Sequence, residues 1–255
     1  MAATVMLALF TRVPASTQTL PSLLDRAQSR VQKLVELFSD VKCTERVTQE
    51  KLTKNGKAEL RDESTYDYLA IFTDAGGELT LNESRLAVQQ PKPAKKNLSL
   101  LVSNGFATLF LIFHPYYTSS FEFSDGGSDL LAGRAVEKIH FQHMPGTRSP
   151  LALAVRGREY ALDVGGDAWI DPSTGDIVRI VSSVEQGIVD IGMRSLTSEV
   201  DYSPAPFADT NPPFYLPSQA TVEVESPRQH WRNIHRFTDY KRFSVSTEEK
   251  VAENK

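Results

Sequence analysis

The sequence predicts a mostly β (α+β) chain: a single antiparallel sheet packed on an N-terminal helix and a short apolar helical segment. Three observations lead there. Trp169–Ile180 (WIDPSTGDIVRI) reads as a hairpin, with β-prone arms around a polar tip that carries its own turn chemistry. Residues 19–40 hold one apolar stripe at helical spacing. Most of the remaining chain is a succession of β-prone runs broken by Gly, Asn and Pro.

Composition bounds the function. The chain has 255 residues, 40% hydrophobic and 24% charged, with a net charge of −4. These are the values of an ordinary globule, with no global attraction to nucleic acid or an anionic membrane. An all-β domain of this length needs no division, and no linker or internal repeat appears. Cys43 stands alone, so no intrachain disulfide forms, and a buried small hydrophobe is the expected role.

Residues 1–18 read as a degraded signal peptide or a disordered tail. Ala2–Phe10 is apolar but short of the roughly 20 residues that span a bilayer. Val13–Pro14–Ala15 resembles a small-residue cleavage site, yet no Lys or Arg precedes the run. The domain itself is expected over residues 19–247, followed by a charged tail at 248–255.

Thr19–Asp40 is the clearest helix. Leu20, Leu23, Leu24, Ala27, Val31, Leu34, Val35 and Phe38 form its stripe, while Arg26, Arg30, Lys33 and Glu36 stay off it. Pro21 fits the first turn, where its missing N–H costs nothing. Val41–Thr53 and Ala58–Phe72 then read as strands around Asn55–Gly56, a two-residue loop signal that sets Glu50 opposite Arg61. Gly76–Gly77 turns the chain into a strand at Glu78–Val88, and Pro91–Lys96 is a solvated loop.

Leu98–Phe113 is the most apolar stretch, interrupted by Ser103–Asn104–Gly105, and is expected to be a short buried helix ended by Pro115. Strands are expected at Tyr117–Phe123, Ala135–Phe141, Glu159–Val164 and Ile188–Tyr202. In the hairpin, Asp171 accepts a backbone N–H two residues on, Pro172 presets φ, and Gly175 takes the left-handed conformation. Together these predict a four-residue loop with a bulge at Gly175. The five prolines of Ser203–Pro217 predict an extended ordered loop. Ala220–Glu225 and Gln229–Phe237 form a last hairpin, pairing Glu225 with His230, Val224 with Trp231 and Glu223 with Arg232. Phe243 and Val245 are expected to complete its edge.

Reactive constellations are weak. His140 and His143, like His230 and His235, are separated by odd numbers, so on strands each pair splits between two faces and cannot chelate one metal. Asp163, Asp167, Asp171 and Asp176 lack the spacing of a calcium loop. No G-x-S-x-G elbow and no phosphate-cradling glycine loop occurs. The basic stretch Arg228–Phe237 is matched by acids on its neighbour strand, which removes the case for a nucleic-acid patch.

An amphipathic N-terminal helix ahead of an antiparallel meander, with Trp169–Ile180 matching W-[IL]-D-P-x-T-G-x-[LIV]-x-[RK], resembles the LolA/LolB-type lipoprotein carrier superfamily in an uncharacterised bacterial branch. The resemblance covers residues 20–246. It implies a half-barrel whose curved sheet clasps a hydrophobic cavity closed by helices and filled by acyl chains. On that implication Phe106, Phe110, Phe113, Phe121, Phe123 and Trp169 line the cavity. The expected protein is a non-enzymatic, periplasmic or secreted envelope protein that binds a lipid or an acylated protein, with no cofactor, nucleic acid or membrane span. An envelope sensor of the same fold, acting through a protein partner, is the alternative. A hydrolase, the third reading, would need a convergent polar constellation that the sequence does not display.

Overall fold

The computed structural model describes residues 19–38, 41–75, 78–88, 105–155, 158–184, 186–207 and 210–242. The readings of residues 1–18, Gly76–Gly77, Pro91–Lys96, Leu98–Asn104, Phe243–Val245 and the 248–255 tail lie outside these. Helix α1 (Leu20–Phe38) is followed by strands β1 (Val41–Leu52), β2 (Ala58–Ala75) and β3 (Glu78–Ala87). A 3-10 helix (Phe106–Phe113) and the short α2 (Pro115–Thr118) come next. The chain continues with β4 (Phe121–Leu131), β5 (Arg134–His143), β6 (Ala152–Val155), β7 (Arg158–Ala161), β8 (Val164–Ile170) and β9 (Ile177–Val184). The last strands are β10 (Ser195–Ala205), β11 (Phe214–Glu225) and β12 (His230–Arg242).

Among the described residues, ten strands form one open antiparallel sheet in the order β3-β2-β1-β12-β11-β10-β9-β8-β5-β4, and β6–β7 is a separate hairpin. The open sheet curls around α1 and the 3-10 helix, which is the half-barrel that the LolA/LolB resemblance implies. The stripe of α1 does what its spacing requires: Leu23, Ala27, Val31, Leu34, Val35 and Phe38 are all buried in the common core.

The helix is fixed to the sheet by the Trp169–Ile180 hairpin, which joins β8 to β9. Asp171 receives the N–H groups of Ser173 (2.7 Å) and Thr174 (3.1 Å) on one carboxylate oxygen and an Arg134 guanidinium N–H on the other. Burial alone would raise this carboxyl, but those bonds and the Ser173 hydroxyl hold it below the usual range. The loop is Pro172–Gly175, closed by Asp171 N–H to Asp176 O at 2.9 Å, and Gly175 is left-handed at φ 79°. The bulge lies at Val178 rather than Gly175, because Ile170 pairs with Ile177 but Trp169 with Arg179. Asp176 then takes Arg30 Nε of α1 at 2.6 Å.

Gly175 also lies so close to α1 that a Cβ there would sit 2.8 Å from the Arg26 carbonyl. Left-handed strain and this collision act together. Gly175→Val is therefore expected to lower stability by about 2–4 kcal/mol. An unchanged chemical-denaturation midpoint would show that the loop does not abut the helix.

Several elements differ from the sequence reading. The apolar helix ends at Phe113 ahead of Pro115 as expected, but Pro115 also opens α2, capped by His114, and Tyr117 belongs to α2 rather than to a strand. The first hairpin has a three-residue loop, Lys54–Gly56, and Glu59 is bulged out; the Glu50–Arg61 pair is kept. Glu159–Val164 splits into the end of β7 and the start of β8. Ile188–Ile191 is a turn ahead of β10. The prolines of 203–217 are only partly loop: Pro204 lies in β10 and Pro217 in β11.

Candidate functional site

The 3-10 helix packs between α1 and the inner face of β9, β10 and β11. All eight of its residues are buried, with Leu109, Phe110, Ile112 and Phe113 at 0% exposure. Phe110 is ringed by Phe38 (centroids 6.0 Å apart), Phe72 (6.5 Å) and Tyr202 (6.1 Å). Phe113 meets Phe123 at 5.4 Å, and Phe121 carries the contacts on to Phe141 and His143. Such edge-to-face chains add to the stabilisation that area burial gives.

Five of the six aromatic residues singled out from sequence thus share one interior: Phe106, Phe110, Phe113 and Phe121 are buried, and Phe123 packs partly buried against them. Trp169 is separate. The inner positions of β8 are Val164, Ala168 and Ile170, so Trp169 points to the outer face, where its indole N–H donates to Asp129 at 2.8 Å. Its cross-strand neighbours there are Lys138 and Arg179.

Among the described residues, a gap of about 10 Å³ remains between Val31, Leu34, Phe110, Ile177, Tyr202 and Tyr215, the lower limit for one water.

One end of the inner face is polar. Glu45, at 0% exposure, receives Arg85 through Nε (2.5 Å) and a terminal nitrogen (2.9 Å), and faces His235 Nδ1 at 2.8 Å. Tyr68 donates to Glu83 at 2.5 Å, and Glu83 also accepts the Gly105 N–H at 2.7 Å, just ahead of the 3-10 helix. Burial alone would raise the Glu45 carboxyl, but the His235 and Arg85 bonds outweigh it and hold it below the usual range. Burial and the Glu83 carboxylate push the Tyr68 phenol well up. Sequence reasoning missed this cluster, although a signal existed. In β1 the inward positions run Val41, Cys43, Glu45, Val47, so an acid occupies an apolar register. Cys43 is buried as expected, its thiol pushed up to about 12 by burial.

The histidines and aspartates are dispersed. His143 is buried and faces Asp163 at 2.8 Å, while His140 is on the outer face against Asp167. Ser124, His140 and Asp167 stand in register across β4, β5 and β8. Among the described residues no hydrogen bond joins Ser124 to His140. No group of three metal-ligating side chains occurs among the described residues, and no helix there is long and apolar enough to cross a membrane.

No protein-family model matches the chain, and no curated protein matches its sequence. Among solved structures it is similar to a domain assigned as an outer membrane lipoprotein-sorting protein from Vibrio parahaemolyticus. That match has 11% identity and a TM-score of 0.47 over 88% of this chain and 94% of the other. A DUF1329 family protein from Desulfovibrio piger matches at 11% identity and TM-score 0.46, over 91% of this chain and 96% of the other. The Pseudomonas aeruginosa MucA/MucB complex matches at 11% identity and TM-score 0.23, over 86% of this chain and 99% of the other.

Proposed function

We propose that the protein is a non-enzymatic binder of a lipid or acylated ligand, whose chains enter between α1 and the inner sheet face in place of the 3-10 helix. One observation carries this reading: the concave face of the half-barrel is covered by an eight-residue segment that is apolar but for Thr108. Backbone hydrogen bonds close turns within that segment, at Thr108 N–H to Gly105 O and His114 N–H to Leu111 O. Side-chain contact with the inner face does the rest, and an acyl chain offers the same kind of surface. A 3-10 ladder is also weaker than an α-helical one, and left-handed Gly105 (φ 82°) precedes it as a pivot. The location proposed is the cell envelope, from the apolar run at Ala2–Phe10 and the LolA/LolB resemblance.

The second reading is an interaction module with a permanently filled interior. It is favoured by the narrowness of the remaining gap and by Leu86 and Val88, which are 68% and 55% exposed at the β3 edge. Titration of folded, delipidated protein with a fluorescent fatty acid separates the two. Saturable uptake is expected, and Phe110→Ala should bind the probe on the order of tenfold tighter, because less packing must be given up to seat it. A folded wild type that takes up no probe would abandon the carrier reading for the interaction module.

A further inference from the structure

We propose that the cleft between α1 and the Pro172–Gly175 loop is an anion site for the phosphate of an amphiphilic ligand's head group. The inference rests on the acyl-binding reading and adds the head-group chemistry to it. The cleft encloses about 310 Å³ and is lined by Asp25, Arg26, Ser29, Arg30, Lys33 and Thr174. Arg26, Arg30 and Lys33 follow one another at helical spacing, so three cations stack along one face of α1. Their roles differ. Arg30 is committed: it holds Asp176 at 2.6 Å and the Pro213 carbonyl at 2.7 Å, and its guanidinium lies over Phe214 at 3.8 Å. That pairing cancels the Asp176 charge and makes Arg30 a fixed wall.

Arg26 is uncommitted. Its Nε and one terminal nitrogen are withheld from solvent with no acceptor among the described residues. Turning to meet an incoming oxygen therefore gives up no protein hydrogen bond, and it gives the guanidinium an acceptor it lacks. Lys33 is exposed and joins no ion pair among the described residues. Thr174 accepts the Asp176 N–H at 3.2 Å, which leaves its hydroxyl hydrogen to donate. Asp25 is the one carboxylate lining the cleft, and it works against an anion.

Position links the cleft to the interior. Arg30 borders both the cleft and the narrow gap lined by Val31, Leu34, Phe110 and Ile177. The chains of a cleft-bound phosphate reach the site of the 3-10 helix only past that side chain.

The test uses three probes below their aggregation concentrations: a lyso-phosphatidylglycerol, a monoacylglycerol with the same chain, and glycerol 3-phosphate. Wild type should bind the lyso-phosphatidylglycerol at least about tenfold tighter than the monoacylglycerol, the low end of what charge-assisted hydrogen bonds supply. Arg26→Gln with Lys33→Gln should erase that preference and leave monoacylglycerol binding unchanged. Asp25→Asn should strengthen the preference. Should the double variant fail near-UV circular dichroism, Asp25→Asn and Lys33→Gln, both at exposed positions, carry the same comparison. Equal affinity for the two lipids overturns the anion site and leaves the acyl-binding reading standing. Glycerol 3-phosphate binding as tightly as the lipid assigns the cleft to free phosphate and overturns the head-group role. Binding of neither lipid removes both readings.

Discussion

Leu34→Asp is expected to abolish cooperative folding, or to remove about 4–7 kcal/mol of stability. The side chain is 6% exposed and faces Phe110, Ile177, Tyr202 and Tyr215 from the middle of the α1 stripe. Losing the leucine forfeits its packing, and the carboxylate must be either dehydrated or protonated. Lys33 points away to solvent, and Arg30, one turn back on the same side, is already held by Asp176. Against a total stability of typically 5–15 kcal/mol such a loss is decisive. Urea denaturation followed by near-UV circular dichroism measures it, and a midpoint close to wild type would mean that α1 is not docked on the sheet.

The second large effect is expected at Glu45. Glu45→Ala should cost about 2–4 kcal/mol, because it leaves the half-buried Arg85 guanidinium without its two-pronged partner and the buried His235 without its carboxylate. The same residue sets a pH dependence. Its folded-state pKa lies below the ordinary 4.5, so the unfolded chain binds the proton more readily. The stability that Glu45 contributes is therefore complete above pH 4.5 and is lost as pH falls through the lower folded-state value. Glu45→Gln should remove this acid sensitivity, so that denaturation midpoints of wild type and variant converge at low pH. Parallel curves down to pH 3 would show that the carboxylate is not held in its charged form.

Local chemistry made much of this fold legible. The stripe of α1 and the Asp171–Gly175 turn depend only on neighbouring residues, and both stand as expected. The Glu223–Arg232, Val224–Trp231 and Glu225–His230 register follows from placing opposite charges across one turn. What failed depended on distant neighbours. Prolines look like strand breakers, yet Pro204 lies beyond the stretch of β10 that pairs with β9, and Pro217 beyond the stretch of β11 that pairs with β12. Neither proline lacks a needed ladder bond. The resemblance puts Trp169 in the cavity, but the pairing parity of β8 gives the inside to Ala168 and Ile170. The Glu45 cluster needed the knowledge that β12 flanks β1 on one side and that β2 then β3 lie on the other. Arg85 of β3 and His235 of β12 thereby reach the same acid.

The strand order has a consequence for how the chain is made. The strand that follows α1 finds one of its two neighbours in β12, the last strand of the sheet. During synthesis β1–β3 and β4–β11 can each meander locally, but no strand pairing joins them until the ribosome has delivered His230–Arg242. The seam between the halves closes over a sequence separation close to the whole domain, the most entropically demanding contact in the molecule. Closure of the half-barrel thus waits on β12, and until it pairs, β1 and β11 present unjoined sheet edges.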